Sequence, residues 1–291
     1  MAYEVLPYAI VPLKMMKISA KIGLGLVAGF LCSWGASTAS AIEPGRHERS
    51  LIFDGRPRSY VLFVPSSYNG VDRVPLVLVL HGGGHNAALM EEMTGFSVLA
   101  EKKGFIVVYP NGTGRREKLL TWNAGNCCGY ARDHAVNDVD FIAALMDALR
   151  AELTVDGRVY VTGISNGGML AYAVACAHAE KIAAIAPVAG ALNAPHCIPR
   201  VPVSVIAFHG TADRHVLYEG GQPFIEFDAQ NRKDRSVAYA MKLWRERNNC
   251  ELIPQKTENA RYKIETWSGG SAGTEVVLVT LKKGPHAWTG A

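Results

Sequence analysis

The chain has 291 residues, of which 49% are hydrophobic and 19% are charged, and its formal net charge at pH 7 is +4. This length suits one large domain with a sizeable core. Because charges of both signs are interspersed and nearly balance, the chain lacks the basic footprint of a nucleic-acid-binding protein, and we expect no nucleic-acid partner.

The first 41 residues have the order of a secretory signal peptide. Three lysines precede an apolar run at residues 22–31, and small residues then lead to Ala39-Ser40-Ala41. This order predicts cleavage after Ala41, and the apolar run is too short for a permanent membrane anchor. Removing three lysines and one glutamate lowers the formal charge from +4 to +2. We therefore expect a secreted or periplasmic protein without stable membrane insertion, with a single domain at residues 42–291.

Five cysteines remain in the mature chain: Cys127, Cys128, Cys176, Cys197 and Cys250. An oxidising compartment permits disulfides, and an odd number leaves at least one thiol without a partner in the chain. The sequence does not fix the connectivity, but a bridge between Cys176 and Cys197 is plausible, and Cys127 or Cys128 could reach Cys250 and leave the other free. The spacing does not resemble a zinc site, so we expect no metal.

Strand-like runs alternate with helical patterns along the mature chain. We predict strands at residues 50–54, 59–64, 74–80, 105–109, 182–188, 203–208, 261–267 and 275–281, with another before residue 165. We predict helices at residues 96–103, 141–153, with Asn137 as the cap, and 236–248, with another after residue 165. This alternation predicts the α/β class, with a mostly parallel, doubly wound sheet and helices on both faces. In such sheets ligands bind beyond the carboxyl ends of the strands.

A glycine-rich turn, His81-Gly82-Gly83-Gly84, directly follows the strand at 74–80. Backbone N–H groups at such a turn approach a developing oxyanion closely, which makes Gly82 and Gly83 candidate oxyanion-hole residues. A plain flexible turn is the alternative, and only the motif described next favours the functional interpretation.

The central motif is Gly163-Ile164-Ser165-Asn166-Gly167, between a β-branched strand and a helical run. A G-x-S-x-G sequence in this context predicts a nucleophile elbow, in which a sharp turn exposes the serine hydroxyl above the sheet. The backbone N–H of Asn166 is then the second oxyanion donor. The chain holds a second match around Ser271, but that one lies in a Gly/Ser-rich turn between strands. Ser165 is therefore the predicted nucleophile.

The acid and base of a catalytic triad should follow the serine in the chain, in that order. Asp213 follows the strand at 203–208 and is the predicted acid, whereas the rivals Asp228 and Asp234 follow no strand and are expected to be solvated loop residues. His209 is expected to cap the strand or pack locally. The predicted base is His286, which follows the last strand.

Four further side chains are candidates for contact with substrate: His81, Trp122, Tyr130 and Trp288. Trp122 and Tyr130 lie in a loop of about 25 residues, longer than most structureless connections. Each aromatic side chain could stack on a ring or polymer, or could instead be part of the packing.

Several segments together resemble the secreted polyhydroxybutyrate depolymerase and feruloyl esterase family. They lie at residues 81–84, 122–129, 137–141, 163–169, 186–190 and 209–213, and the similarity extends over about residues 50–290. The resemblance implies a serine esterase of the α/β-hydrolase fold that needs no cofactor and cleaves polyester or plant cell-wall ester bonds.

The segment around His286 departs from the family pattern. Relatives usually read Gly-Gly-His-x-Trp-Pro-Gly, whereas this chain reads Gly284-Pro285-His286-Ala287-Trp288-Thr289-Gly290 and stops at Ala291, where relatives continue into a further helix. We therefore expect a truncated C-terminal helix, a weakly anchored His286 and poor esterase activity.

Two other functions fit the same motifs. A serine peptidase of this fold would use the same triad, and a hydrolase-like binding protein would have lost catalysis. The occupied triad positions favour the esterase.

Overall fold

The computed structural model describes residues 42–116, 118–224 and 232–289, so the predicted signal peptide lies outside the described residues. Within these ranges, ten strands form one sheet: β1 (Gly45–Phe53), β2 (Arg56–Val64), β3 (Val74–Leu80), β4 (Ile106–Pro110), β5 (Val155–Ile164), β6 (Ala184–Val188), β7 (Ser204–Gly210), β8 (Gln255–Glu258), β9 (Tyr262–Trp267) and β10 (Val276–Leu281). The same described ranges contain six α-helices: α1 (Ala87–Thr94), α2 (Phe96–Lys103), α3 (Gly129–Asp133), α4 (Asp138–Glu152), α5 (Asn166–Ala177) and α6 (Val237–Arg247).

The strand order is β1-β2-β4-β3-β5-β6-β7-β10-β9-β8. The six central strands are mutually parallel, and they are β4, β3, β5, β6, β7 and β10. Antiparallel strands flank them on both sides. This topology confirms the predicted mostly parallel, doubly wound sheet of the α/β-hydrolase fold. Because β3, β5, β7 and β10 run in the same direction, the segments that follow them meet at one edge of the sheet.

Helices cover both faces of the sheet because the central strands are apolar on both sides. Alternate side chains of β3 point to opposite faces. Leu76, Leu78 and Leu80 pack in the cluster that includes α4, α5 and α6. Val77 and Val79 pack in the cluster that includes α1 and α2. In the described parts of the chain, no helix is both long and apolar enough to cross a membrane.

Most predicted elements are confirmed, with boundaries shifted by a few residues. The predicted caps are also seen: the Asn137 side chain accepts from the Asp140 N–H at the start of α4, and the helix predicted to begin near Ser236 is capped by that serine. Three short elements had no clear sequence signal. Helix α1 buries only Ala87 and Met90, α3 has five residues, and β8 consists of four exposed residues paired with β9.

The disulfides agree with the sequence only in part. Cys176 at the end of α5 is bonded to Cys197, as predicted, with their Cα atoms 4.7 Å apart. The predicted bridge to Cys250 is wrong, because Cys127 is bonded to Cys128 and Cys250 is a buried free thiol. Cys127 lies near the carboxyl edge of the sheet, with Sγ 3.8 Å from Asn166 Nδ2. Cys250 instead follows α6 at the amino edge, where the preceding Asn248 hydrogen-bonds Val203 at the start of β7.

Candidate active site

Ser165 occupies a sharp turn between β5 and α5. Its backbone has φ 57° and ψ −121°, a conformation that is strained for any residue with a Cβ atom. The flanking glycines allow the turn, since a Cβ on Gly163 would lie 2.7 Å from the carbonyl carbon of Gly167 and 2.8 Å from Leu80 Cβ. The Ser165 N–H donates to the Val188 carbonyl at 2.9 Å, which fixes the turn against β6. The backbone therefore has the geometry of a nucleophile elbow, and Ser165 stays half-exposed.

Asp213 and His286 are hydrogen-bonded at the same edge of the sheet. His286 Nδ1 lies 2.7 Å from Asp213 Oδ2, and Asp213 Oδ1 accepts from the N–H groups of His215 and Val216 at 2.9 Å each. Burial alone would raise the pKa of the Asp213 carboxyl. The hydrogen bonds from His209 and His286, together with the charge of His286, instead hold this pKa well below its usual value. Asp213 is therefore an ionised acceptor at neutral pH.

The fold thus brings Asp213 and His286 together, and Ser165 lies at the same edge of the sheet. Among the described residues, no hydrogen bond joins the Ser165 hydroxyl to His286. Such catalytic bonds often tighten only when substrate is bound.

His209 is a second histidine near the Asp213 carboxylate, although it was predicted only to cap the strand or pack locally. Its Nε2 lies 2.8 Å from the Val216 carbonyl oxygen and 3.4 Å from Asp213 Oδ2. Both neighbours are acceptors, so Nε2 carries a proton and donates it between them. His209 also packs edge-on against Tyr218, at 5.8 Å between ring centroids. The spacing of four residues between His209 and Asp213 was the only signal for this contact.

We expect His209→Leu to lower turnover by about 10²-fold, since the acid and base tolerate little displacement. His209→Gln keeps a side-chain N–H donor and should restore most of the rate. Turnover is to be measured per active site titrated with a phosphonate, alongside the proton NMR signal of the His286–Asp213 hydrogen bond, which should shift in the leucine variant only. Unchanged turnover per titrated site in His209→Leu would reduce His209 to a packing residue.

The segment that carries His286 is anchored on both sides. The Ala212 N–H donates to the Gly284 carbonyl at 3.0 Å, and the His286 ring lies 4.9 Å from the ring of His215. Beyond His286, the half-buried Trp288 packs edge-on against Phe96 of α2 at 6.2 Å. The expectation that His286 has few anchors is therefore wrong for residues 284–289, while residues 290 and 291 lie outside the described part of the chain. Contact of Trp288 with substrate stays a prediction.

His81 and Trp122 support the glycine turn from inside the protein. His81 Nδ1 lies 2.8 Å from the Gly82 carbonyl oxygen, and its Nε2 accepts from the Gly112 N–H at 3.0 Å. Burial lowers the pKa of His81 to about 4, so the ring is neutral with its proton on Nδ1. The Trp122 indole N–H donates to the His81 carbonyl at 2.9 Å. Both side chains have 0% exposure, which corrects the prediction that they contact substrate: they hold Gly82 in place instead.

Three backbone N–H groups at or next to the elbow have no bonded partner among the described residues. A Cβ on Gly82 would lie 3.6 Å from Ser165 Cβ, so the glycine turn and the elbow are adjacent. Within the described ranges no acceptor receives the N–H of Gly82 or Gly83, whereas that of Gly84 donates to a loop carbonyl. The Asn166 N–H belongs to the first turn of α5, where helices leave amides unpaired. The Asn166 side chain is fully used by the backbone of Trp122, at 2.7 and 3.0 Å.

The remaining candidates have partners of their own. Tyr130 is half-buried on α3 and stacks on His134, with 3.9 Å between ring centroids. Asp234 was predicted to be a solvated loop residue, and this prediction is wrong. Its side chain is fully buried in an ion pair with Arg232 at 3.0 Å. Burial raises the pKa of Asp234. Asp228 lies outside the described residues.

The second serine motif has a different environment. Ser271 begins a 3-10 turn before β10, at the amino edge of the sheet, and its hydroxyl is 3.0 Å from Asn249 Nδ2. Unlike Ser165, Ser271 does not follow a strand that ends at the carboxyl edge of the sheet. Residues 42–116, 118–224 and 232–289 also contain no group of three or more His, Cys, Asp or Glu side chains arranged to hold a metal ion.

A serine on a strand–helix turn, at the same carboxyl edge of a doubly wound sheet as a hydrogen-bonded Asp–His pair, is typical of the α/β-hydrolase class. The fold of an acetyl xylan esterase from Aspergillus awamori agrees, with a TM-score of 0.61 at 14% identity over 84% of this chain and 95% of that one. A family model described as Esterase PHB depolymerase matches residues 58–201.

Two relatives extend the match beyond that segment. The chain is 30% identical to the protein named Putative esterase NocK of Nocardia uniformis subsp. tsuyamanensis, over 83% of this chain and 74% of that protein. It is 28% identical to feruloyl esterase B of Piromyces equi, over 79% of this chain and 42% of the larger relative. The chain belongs to the polyhydroxybutyrate depolymerase and feruloyl esterase family, and it is a carboxylic ester hydrolase.

Proposed function

We propose that the protein is a serine esterase that cleaves feruloyl or acetyl esters of plant cell-wall polysaccharides through an acyl-enzyme. The observation that carries the proposal is the 2.7 Å bond between His286 and Asp213 at the edge where Ser165 lies. The substrate class is supported by relatives named feruloyl esterase and acetylxylan esterase/xylanase.

The proposed mechanism depends on which ring nitrogen of His286 carries no proton. Asp213 is an ionised acceptor, so in the neutral ring His286 donates through Nδ1 and leaves Nε2 unprotonated. Nε2 then takes the Ser165 proton as the oxygen attacks the ester carbonyl, and Asp213 stabilises the imidazolium. The N–H groups of Gly82, Gly83 and Asn166 would hold the oxyanion. His286 returns the proton to the leaving alcohol, and water releases the acyl group by the same route.

A substrate panel tests the proposal. It compares methyl ferulate, acetylated xylan, a short p-nitrophenyl ester, polyhydroxybutyrate and a peptide, each with Ser165→Ala as the matched control for contaminating hydrolases. We expect turnover of methyl ferulate or acetylated xylan, together with the short ester. Hydrolysis of polyhydroxybutyrate alone would move the substrate class to polyesters, and cleavage of the peptide alone would favour a serine peptidase.

The rate should rise with pH and then level off, because only a neutral imidazole can accept the serine proton. Since the pKa of Asp213 is held well below its usual value, Asp213 stays ionised, and the pH–rate profile should show no second step from this carboxylate. The check is kcat/KM for methyl ferulate from about pH 4 to pH 9, with a viscosity control for a rate-limiting physical step. A flat profile would exclude His286 as the base.

We also propose that the protein works in an oxidising compartment. The Cys176–Cys197 disulfide supports this, since such bonds persist outside the reducing cytosol. Sequencing the N-terminus of the exported protein should give Ile42, and a cytosolic protein that retains residues 1–41 would contradict the proposal.

A further inference from the structure

A cleft of about 270 Å³ lies between α6 and the exposed part of the sheet at β9. None of its lining residues belongs to the proposed triad or oxyanion hole. The register explains how it forms. Lys263, Glu265 and Trp267 alternate along β9 and pair with β10 residues on the face against which α6 packs. Because α6 covers β10 and not β9, these three side chains stand beside the helix and form one wall.

The opposite wall and the floor come from α6 and β10. Met241 and Leu278 supply apolar surface, and Trp267 adds an aromatic ring. Lys242 and Arg245 line the helix side. The cleft therefore combines an apolar floor with a cationic rim.

The charges around the cleft do not cancel. Glu265 is paired with Lys263 at 2.8 Å and Lys256 at 3.6 Å, and Glu246 lies 3.5 Å from Lys242 and 3.9 Å from Arg245. Counting these side chains, four cations minus two carboxylates leave a net charge of +2. The local field favours an anion.

Arg245 is the least exposed of these four cations. Its side chain is only 21% exposed, its Nε is buried with no acceptor, and its contact with Glu246 at 3.9 Å is too long for a hydrogen bond. Elsewhere, Arg58 and Arg150 also have an unpaired Nε, but their terminal nitrogens donate hydrogen bonds. Within the described residues, no acceptor bonds any nitrogen of the Arg245 guanidinium.

Trp267 lines the same cleft with its ring. It is 9% exposed, and its indole Nε1 has no acceptor among the described residues. Because Nε1 of Trp267 and Nε of Arg245 are both shielded from solvent, the donors that a ligand in the cleft would meet are the terminal nitrogens of Arg245, whose side chain is 21% exposed.

We propose that this cleft binds a carboxylate carried on a six-membered ring. The carboxylate would bond the Arg245 guanidinium, whose planar fork matches its two oxygens, and the ring would lie on Met241, Leu278 and Trp267. The volume suits one ring rather than a polymer segment. Either a uronic acid on a polysaccharide or a free hydroxycinnamate has this chemistry. The site goes beyond the proposed hydrolysis, because it needs no contribution from Ser165.

Binding is measured by calorimetry on the full chain, with the proposed nucleophile blocked by a phosphonate so that no probe is retained there. The probes are glucuronate against glucose and ferulate against coniferyl alcohol, so that each pair differs mainly in the carboxylate. We expect at least one acid to bind with a Kd of about 1 mM or tighter, and its neutral partner at least about tenfold more weakly. Binding of glucuronate alone assigns the site to uronic acids, and binding of ferulate alone assigns it to hydroxycinnamates.

The variants decide whether the cleft is responsible. Arg245→Gln keeps the length of the side chain and should weaken binding of the acid at least about tenfold, while Arg247→Gln, an exposed position on the same helix, should bind as the wild type does. If Arg245→Gln does not fold, the exposed Lys242→Gln takes its place and should weaken binding about threefold. The proposal is overturned if neither acid binds, if acids and neutral partners bind alike, or if the tested cleft variant retains full affinity. These outcomes are independent of ester hydrolysis, so failure here leaves the proposed function standing.

Discussion

Ser165→Ala is expected to abolish ester hydrolysis, with a loss of turnover on the order of 10⁶-fold. The alanine keeps the strained elbow and the adjacent N–H groups but removes the oxygen that forms the acyl-enzyme. Any residual rate would come from the oxyanion donors and substrate binding alone. The measurement is kcat on the best substrate of the panel, with purified variant and wild type prepared in parallel.

Ser271→Ala is the matched control for that experiment, because it sits in the second G-x-S-x-G sequence of the same chain. Ser271 lies at the amino edge of the sheet and bonds Asn249, so we expect its loss to leave kcat unchanged. Equal activity of the two variants would mean that the elbow has been misplaced.

Asp213→Asn is expected to lower kcat by about 10⁴-fold while the fold is retained. Oδ1 of Asp213 accepts two backbone N–H groups, so an asparagine would keep its oxygen there and turn its amide nitrogen toward His286. The amide donates to Nδ1, which moves the ring proton to Nε2. The imidazole would then have no lone pair to accept the Ser165 proton.

Asp234→Asn provides the comparison for Asp213→Asn, because Asp234 is the rival acid that the structure describes. It is equally buried but is paired with Arg232, so its loss should lower the melting temperature rather than the turnover of the folded protein. A kcat for Asp213→Asn within about tenfold of the wild type would show that Asp213 does not orient the base.

The sequence predicts the parts of this site that depend on local constraints. A turn through Ser165 needs glycine at 163 and 167, because the backbones of β5, α5 and β3 nearly touch there, and this requirement is visible as a motif. The positions of Asp213 and His286 follow from strand ends, since parallel strands bring their carboxyl ends to one edge. Strong apolar runs, such as Val74–Leu80, predict strands almost to the residue.

Other features depend on contacts between distant segments, and no local pattern records them. His81 and Trp122 were expected in the cleft, but both are buried because the loop that carries Trp122 folds back onto β3 and Asn166. Asp234 has no strand before it and looked solvated, yet Arg232 pairs with it in the interior. The strand β8 consists of polar residues that pair only because β9 lies beside them.

The central claim, that Ser165 is the nucleophile of a serine esterase, is tested most directly by mass spectrometry of the labelled enzyme. The protein is inactivated with a fluorophosphonate, digested, and the modified peptide is sequenced while the residual esterase activity is followed. We predict one adduct per chain, located on Ser165, with its yield rising in step with the loss of activity. An adduct on Ser271 or on any other residue, or full inactivation with Ser165 unmodified, would contradict the account.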